Sequence, residues 1–275
     1  MLLTTNPMKI SIITPAYNSE NTILRNTQSI ISQTYKEFEH IIVDNLSKDN
    51  TVQLIKNDYN DAGLSDKLKI ISEKDSGISD AFNKGIRAAT GDVIAILNSD
   101  DSYYYANVFS QVIDTLNLND ILFVHGDIYF IDPRFGSNIR HPLPIKFMRG
   151  YQFNHQTMFI KKEMYGRIGL YNAEFLQSMD FEFYCRIVKH YDPAQISVYL
   201  NEQPLVKMYA GGISWKNEFI SIEEEKKALM LNGFWNKYGK NFYYSRKTRA
   251  KLKSFFYTIG LQIVVKIWRK FKWRN

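Results

Sequence analysis

Short apolar runs alternate with amphipathic stretches through the first hundred residues. Ile10 to Thr14 reads as a strand ended by Pro15, and Glu20 to Gln33 as a helix with Ile23, Leu24, Ile30 and Ile31 roughly in phase. Phe38 to Val43 is a second strand, closed by Asp44; Ser47 and Asp49 then open a helix carrying Val52, Leu54 and Ile55. Leu68 to Ser72 is a third strand, followed by the polar run Glu73 to Gly77. From Ile78 to Ala89 the apolar positions Ile78, Ala81, Phe82, Gly85, Ile86 and Ala89 fall on one helical face. Val93 to Leu97 is too short for an ordinary helix and suits a buried strand. This alternation predicts an α/β fold, a mostly parallel sheet with helices on both faces.

The second half is less regular. Ile121 to Ile131, interrupted by Gly126-Asp127, reads as a strand region, and Phe153 to Ile160 as a strand with His155 near its start. Ser178 to His190 reads as a helix with Asp180 in its first turn, and Asn217 to Tyr238 as a further helix.

Polar residues recur where the strands stop: Tyr17 and Asn18, Asp44, Asp75, then Asp100 and Asp101. Each alone suits a turn or a cap. Together they lie on one edge of a parallel sheet, where ligands of such sheets bind. The adjacent carboxylates of Asp100 and Asp101 repel, and a divalent cation shared with a diphosphate fits them, because Mg²⁺ and Mn²⁺ take oxygen ligands.

Charge divides the chain in two. All 28 acidic residues lie at or before Glu225, with 21 of the 35 Lys and Arg, whereas the last 50 residues hold the other 14 cations and no acid. The segment from Ser245 onward interleaves Leu252, Phe255, Phe256, Ile259, Ile263, Ile267 and Phe271 with Lys251, Lys253, Lys266, Arg269, Lys270, Lys272, Arg274, Trp268 and Trp273. An apolar stripe with basic flanks and Trp fits an interfacial membrane anchor; a solvated helix packed on the domain is the alternative. No nucleic-acid-binding module accompanies the charge, so nucleic acid is not expected as a partner. There is no signal-peptide pattern at the start and no apolar run long enough to span a membrane. The single cysteine, Cys185, excludes an internal disulfide, fits a reducing compartment and reads as a buried structural thiol.

One ordered set of motifs resembles the family 2 glycosyltransferases, which have the GT-A fold. Its carriers are Ile12 to Asn18, Ile42-Val43-Asp44, Asp75-Ser76-Gly77 with Ala81, Asn83, Lys84 and Gly85, Gly91-Asp92, Leu97 to Asp101, His155-Gln156, Gly169-Leu170-Tyr171, Ser178-Met179-Asp180 and Gly211 to Ser214. The likeness is nearest to enzymes of bacterial surface polysaccharides such as colanic acid, O-antigen and capsule.

The resemblance implies a GT-A domain over residues 8–215, with a nucleotide half at 8–102, an acceptor half at 103–215 and a basic helical tail at 216–275. It implies a nucleotide-sugar pocket lined by Pro15, Ala16, Tyr17, Asn18, Asp44, Asp75, Gly77, Asn83, Lys84, Asn98, Ser99, Asp100 and His155. Asp44 would accept a hydrogen bond from the base, Asp101 would be the main ligand of Mn²⁺ or Mg²⁺ with Asp100 beside it, and Asp180 would be the catalytic base. The implied activity is inverting, metal-dependent transfer from a nucleotide sugar, a UDP-sugar in preference with another nucleotide sugar as the alternative, to a lipid-linked saccharide, by an enzyme on the cytoplasmic face of the bacterial membrane. A homo-oligomer is left open. Two positions depart from the common pattern, Asn45 and Asn98, where many relatives carry acidic residues or glycine, and they bear on base and sugar choice. Glu182 lies two positions from Asp180 and so points to another helix face.

Two rivals are weaker. A sugar nucleotidyltransferase wants a glycine-rich basic loop after the first strand, and Pro15 to Ser19 has neither glycine nor base. An inactive scaffold does not need Asp44, Asp75, Asp100, Asp101 and Asp180 together.

Overall fold

The computed structural model describes residues 7–118, 120–133, 136–145, 150–211 and 218–261. The first half alternates as its pattern predicts: β1 (Ile10–Ala16), α1 (Ile23–Ile31), β2 (Phe38–Asp44), α2 (Thr51–Asp61), β3 (Leu68–Ser72), α3 (Ile78–Ala88) and β4 (Val93–Ile96). There follow β5 (Ser102–Tyr103), α4 (Val108–Leu116), β6 (Phe123–Gly126), β7 (Ile128–Asp132), β8 (Gly136–Arg140), β9 (Leu143–Ile145), β10 (Gly150–Gln152), β11 (Phe159–Lys161) and α5 (Lys162–Ile168). The chain continues through α6 (Met179–His190), α7 (Pro193–Ile196), β12 (Ser197–Leu200), β13 (Val206–Tyr209), α8 (Glu218–Leu231) and α9 (Lys237–Thr258).

Seven strands form the main sheet in the order β12-β6-β11-β4-β1-β2-β3. Every pairing in it is parallel except those of β11, which runs against both β4 and β6. The carboxyl ends of β1, β2, β3, β4 and β6 therefore share one edge. A smaller sheet, β5-β13-β7-β8, stands beside it.

Alternation along β1 and β4 sends side chains to two cores. Ile13, Ile94 and Ile96 pack with Phe82 and Ile86 of α3 and with Phe183 and Cys185 of α6. Ile10, Ile12, Val93 and Ala95 pack with Phe109, Val112 and Leu116 of α4. Burial on both faces is why these strands read as continuous apolar runs. Helix α3 approaches β1 closely at Gly85, where a Cβ would lie 2.3 Å from the Cγ2 of Ile13. Cys185 is buried and free, and desolvation raises its thiol pKa, as befits a structural thiol.

Two expectations are corrected. Phe153 to Ile160 is not one strand: a 3-10 turn at His155–Thr157 interrupts it, and only Phe159–Lys161 joins the sheet. The helix expected over Asn217 to Tyr238 ends at Leu231; Gly233, at φ 81°, turns the chain, and the Asn236 side chain caps α9 by accepting from the N–H groups of Tyr238 and Gly239.

The start of the basic segment is packed on the domain. Arg246 reaches Glu225 at 3.0 Å, Lys247 reaches Glu223 at 2.7 Å and Lys253 reaches Glu218 at 2.7 Å, all from α9 to α8. Leu252, Phe255 and Ile259 are exposed. The residues Ile263, Ile267, Phe271, Trp268 and Trp273 and the cations from Lys266 to Arg274 lie outside the described residues. Among the described residues no helix is long and apolar enough to cross a membrane.

Burial pushes the Glu225 carboxyl from 4.5 up to about 7, against the pull of Arg246. A carboxyl raised on folding favours the native state below its unfolded value and loses that contribution as pH rises through the folded one. The melting temperature of the protein is expected to fall between about pH 4.5 and about pH 7 by more than that of Glu225→Gln. Parallel pH–melting curves for the two proteins would contradict the assignment.

Candidate active site

The edge formed by the strand ends gathers the sequence motifs. Pro15 and Ala16 end β1, and Tyr17 beyond them is 56% exposed. Asn18 adopts φ 47°, a left-handed turn that asparagine tolerates, and its side-chain Oδ1 accepts the Lys48 N–H at 2.9 Å. Asp44, at the end of β2, is buried; it accepts the Ser47 N–H at 3.2 Å and the Ser72 hydroxyl at 2.6 Å. Asp75 accepts the Gly77 N–H at 3.0 Å and donates its own N–H to the Asn45 Oδ1 at 2.9 Å. Asn45, one of the two departures, thus ties the end of β2 to the loop after β3. Gly77 takes φ 128°, which glycine allows, and opens α3.

The acidic turn after β4 is held from α1. Asn26 donates its side-chain amide to the carbonyls of Asn98 at 2.9 Å and Asp101 at 3.2 Å, and Ser99 meets Ser19 hydroxyl to hydroxyl at 2.9 Å. Asp101 is 1% exposed; its Oδ2 accepts from the Gln156 amide at 3.3 Å, while its Oδ1 is buried without a partner. Burial pushes its carboxyl well above the usual range, and the charge of Asp100 adds to the push. Asp100, partly exposed, is raised by burial too, with Arg25 and His155 pulling the other way. Two neighbouring carboxylates that resist ionising together, one with an unpartnered buried oxygen, are chemically suited to a divalent cation. Among the described residues no group of three or more His, Cys, Asp or Glu is placed to hold a metal ion.

Asp180 sits in the first turn of α6, 34% exposed at its side chain. Its Oδ1 accepts the Phe181 N–H at 2.8 Å, and its Oδ2 lies 3.3 Å from the His155 Nδ1. The two join a small, mainly aromatic pocket lined also by Phe153, Tyr171, Phe183 and Tyr184. Glu182 turns away and is consumed by the Arg186 guanidinium at 3.0 Å. The 3-10 turn links the halves of the site: His155 reaches Asp180, and its neighbour Gln156 reaches Asp101.

Asn83 and Lys84 have partners within the protein. The Asn83 amide is spent on both backbone groups of Tyr171, at 2.8 and 3.0 Å. Lys84 is spent on the loop after β3, reaching the Lys74 carbonyl at 2.6 Å and Glu73 at 3.0 Å. Both residues thus brace the loops around the strand ends. Residues missed by the sequence reading are Gln156 as a partner of Asp101, Asn26 as the brace of the acidic turn, and Arg25. The Arg25 guanidinium stacks 3.8 Å over the Tyr209 ring beside the acidic pair. Of the motif Gly211 to Ser214, only Gly211 lies within the described residues.

The chain is similar to known proteins in sequence and in fold. The family model described as "Glycosyl transferase family 2" matches residues 11–188. A PGL/p-HBAD biosynthesis glycosyltransferase of Mycobacterium bovis is 30% identical over 206 residues, covering 74% of this chain and 78% of that protein. An uncharacterized glycosyltransferase of Rickettsia typhi is 26% identical over 245 residues, 83% of this chain and 72% of its own. Among solved structures, S. aureus TarS 1-349 in complex with UDP-GlcNAc superposes with a TM-score of 0.66 at 18% identity, over 82% of this chain but only 65% of that one. The mannosyltransferase PcManGT from Pyrobaculum calidifontis, in complex with GDP-Man and Mn2+, gives 0.64 at 14% identity over 97% and 84% of the two chains. The fold of this chain is of the GT-A type.

Proposed function

The chain belongs to glycosyl transferase family 2, and from that premise we propose that it is an inverting, metal-dependent hexosyl- or N-acetylhexosaminyltransferase. It moves the sugar of a nucleoside diphosphate sugar, a UDP-sugar, to a hydroxyl of a lipid-linked saccharide in the making of a bacterial surface polysaccharide. The carrying observation is the His155-Gln156 turn, which ties the carboxylate of Asp180 to the acidic pair in one site. TarS holding UDP-GlcNAc and PcManGT holding GDP-Man with Mn2+ on the same fold support a nucleotide sugar as donor.

In this reading Tyr17, Asp44 and Asp75 receive the base and ribose at the strand ends, with Asp44 fixed by Ser47 and Ser72. Asp101 and Asp100 would hold Mn²⁺ or Mg²⁺, which when bound neutralises the charge of the departing diphosphate. Asp180 accepts the proton of the attacking hydroxyl on its carboxylate, and His155 at its Oδ2 fixes the direction of that carboxylate. The hydroxyl oxygen bonds to the anomeric carbon from the face opposite the leaving group. The bond from that carbon to the phosphate oxygen breaks, and its electron pair leaves with the nucleoside diphosphate. One displacement inverts the anomeric centre and needs one base.

A panel of UDP- and GDP-sugars, read by nucleotide release with Mn²⁺ or Mg²⁺ present, tests the activity. Release from one donor class is expected; none from any donor would overturn the reading.

The exposed Leu252, Phe255 and Ile259, beside Lys251, support contact of the C-terminal segment with an anionic membrane on the cytoplasmic side. Truncation after Lys253 is expected to lower co-sedimentation with vesicles containing anionic phospholipid. Equal binding by the truncated protein would exclude that role.

A further inference from the structure

We infer that Glu224, on helix α8, is a positioning residue for catalysis: its carboxylate holds the loop that delivers Asp180 to the site. The inference rests on the reading of Asp180 as the base. The geometry is specific. The Glu224 Oε1 accepts the N–H of Leu176, and its Oε2 accepts the N–H groups of Gln177 and Ser178, each at 2.8 Å. Those amides lead directly into α6, whose N-cap is Ser178 and whose second residue is Asp180. Amides just ahead of a helix have no partner within it, so an acceptor from another element must be found for them. A carboxylate taking three of them makes charge-assisted bonds at the positive end of the helix dipole.

Other contacts close the same grip. The Ser178 hydroxyl donates to the Ser221 carbonyl of α8 at 3.1 Å, and Lys227 of α8 pairs with Glu174 at 2.8 Å. Helix α3 holds the loop as well: the Ser79 hydroxyl donates to the Phe175 carbonyl at 2.7 Å, and Asn83 clasps Tyr171. The segment 171–178 is therefore pinned between α3, which opens at the nucleotide edge, and α8. Of these contacts only Glu224 binds three successive amides, so it sets the direction in which α6 starts. An error of about 1 Å in the placement of a base costs up to about 10²-fold in rate. Helix α8, which the sequence reading assigned to a tail, is thereby part of the catalytic apparatus.

The test uses the full chain and two readouts. The first is hydrogen exchange at the amides of Leu176, Gln177 and Ser178, which Glu224→Ala is expected to accelerate selectively. The second is nucleotide release from UDP-glucose and UDP-N-acetylglucosamine with Mn²⁺ and water as acceptor. Glu224→Ala is expected to lower kcat about tenfold with donor KM within about twofold, and Glu224→Gln to lie between it and the wild type. In an Asp180→Asn background Glu224→Ala is expected to cause no further loss, because the residue acts through Asp180. Should Glu224→Ala melt below the assay temperature, Glu224→Gln carries both readouts. Unchanged exchange, an unchanged kcat, or the same fold-loss in the Asp180→Asn background would overturn the inference while leaving the base assignment standing. Equal turnover by wild type and Asp180→Asn would overturn the base assignment, and this inference with it.

Discussion

Replacing Asp180 by Asn is expected to lower kcat by about 10²–10⁴-fold, the usual contribution of a general base, with the donor KM and the melting temperature nearly unchanged. The reasoning is local. Asn keeps the shape of the side chain and can still accept the Phe181 N–H at Oδ1, so the first turn of α6 survives. What goes is the charge that, in the proposed role, takes the proton. A loss confined to KM would place Asp180 in binding, and near-normal turnover would remove it from the mechanism.

Asp101→Asn is expected to lower metal-dependent turnover by about 10²–10³-fold, on the scale of losing one electrostatic stabiliser of the transition state. The same change is expected to leave the apoprotein at least as stable near neutral pH. Burial and the charge of Asp100 raise the Asp101 carboxyl on folding, so its ionised form opposes folding at pH values above its unfolded pKa. A neutral isostere relieves that cost while keeping the acceptor for Gln156. Lost activity together with retained or increased stability is the signature of a group kept for function. Assays across Mn²⁺ concentration and thermal melts of the metal-free protein check both halves. A variant that is both less stable and fully active would mark Asp101 as structural.

Much of the fold was legible because β1 to β4 and their helices carry the information locally. Val93 to Ile96 is bounded by Gly91-Asp92 and Asn98, and its buried faces leave no helical phase. The polar residues at the strand ends were legible for the same reason: each closes an apolar run on an edge that parallel pairing makes common. Legibility failed where the deciding contact spans the chain. Gln156 meets Asp101 across 55 positions, Asn26 reaches it across 75, and Glu224 reaches Gln177 across 47. No local spacing encodes such pairs. Asn83 is a further case: its amide meets Tyr171 88 positions away, on the loop that leads to Asp180. The turn at His155–Thr157 was missed because Phe153, Met158, Phe159 and Ile160 are buried alike, whether they face the pocket or the sheet.

The proposed roles of Asp180 as base and of the acidic pair at the diphosphate require a single displacement. The most direct test is the configuration of the sugar released from an α-linked UDP-sugar by the full chain with Mn²⁺, followed by proton NMR before mutarotation. The β-anomer is expected first; initial release of the α-anomer would contradict a mechanism in which Asp180 activates the attacking hydroxyl opposite the leaving diphosphate.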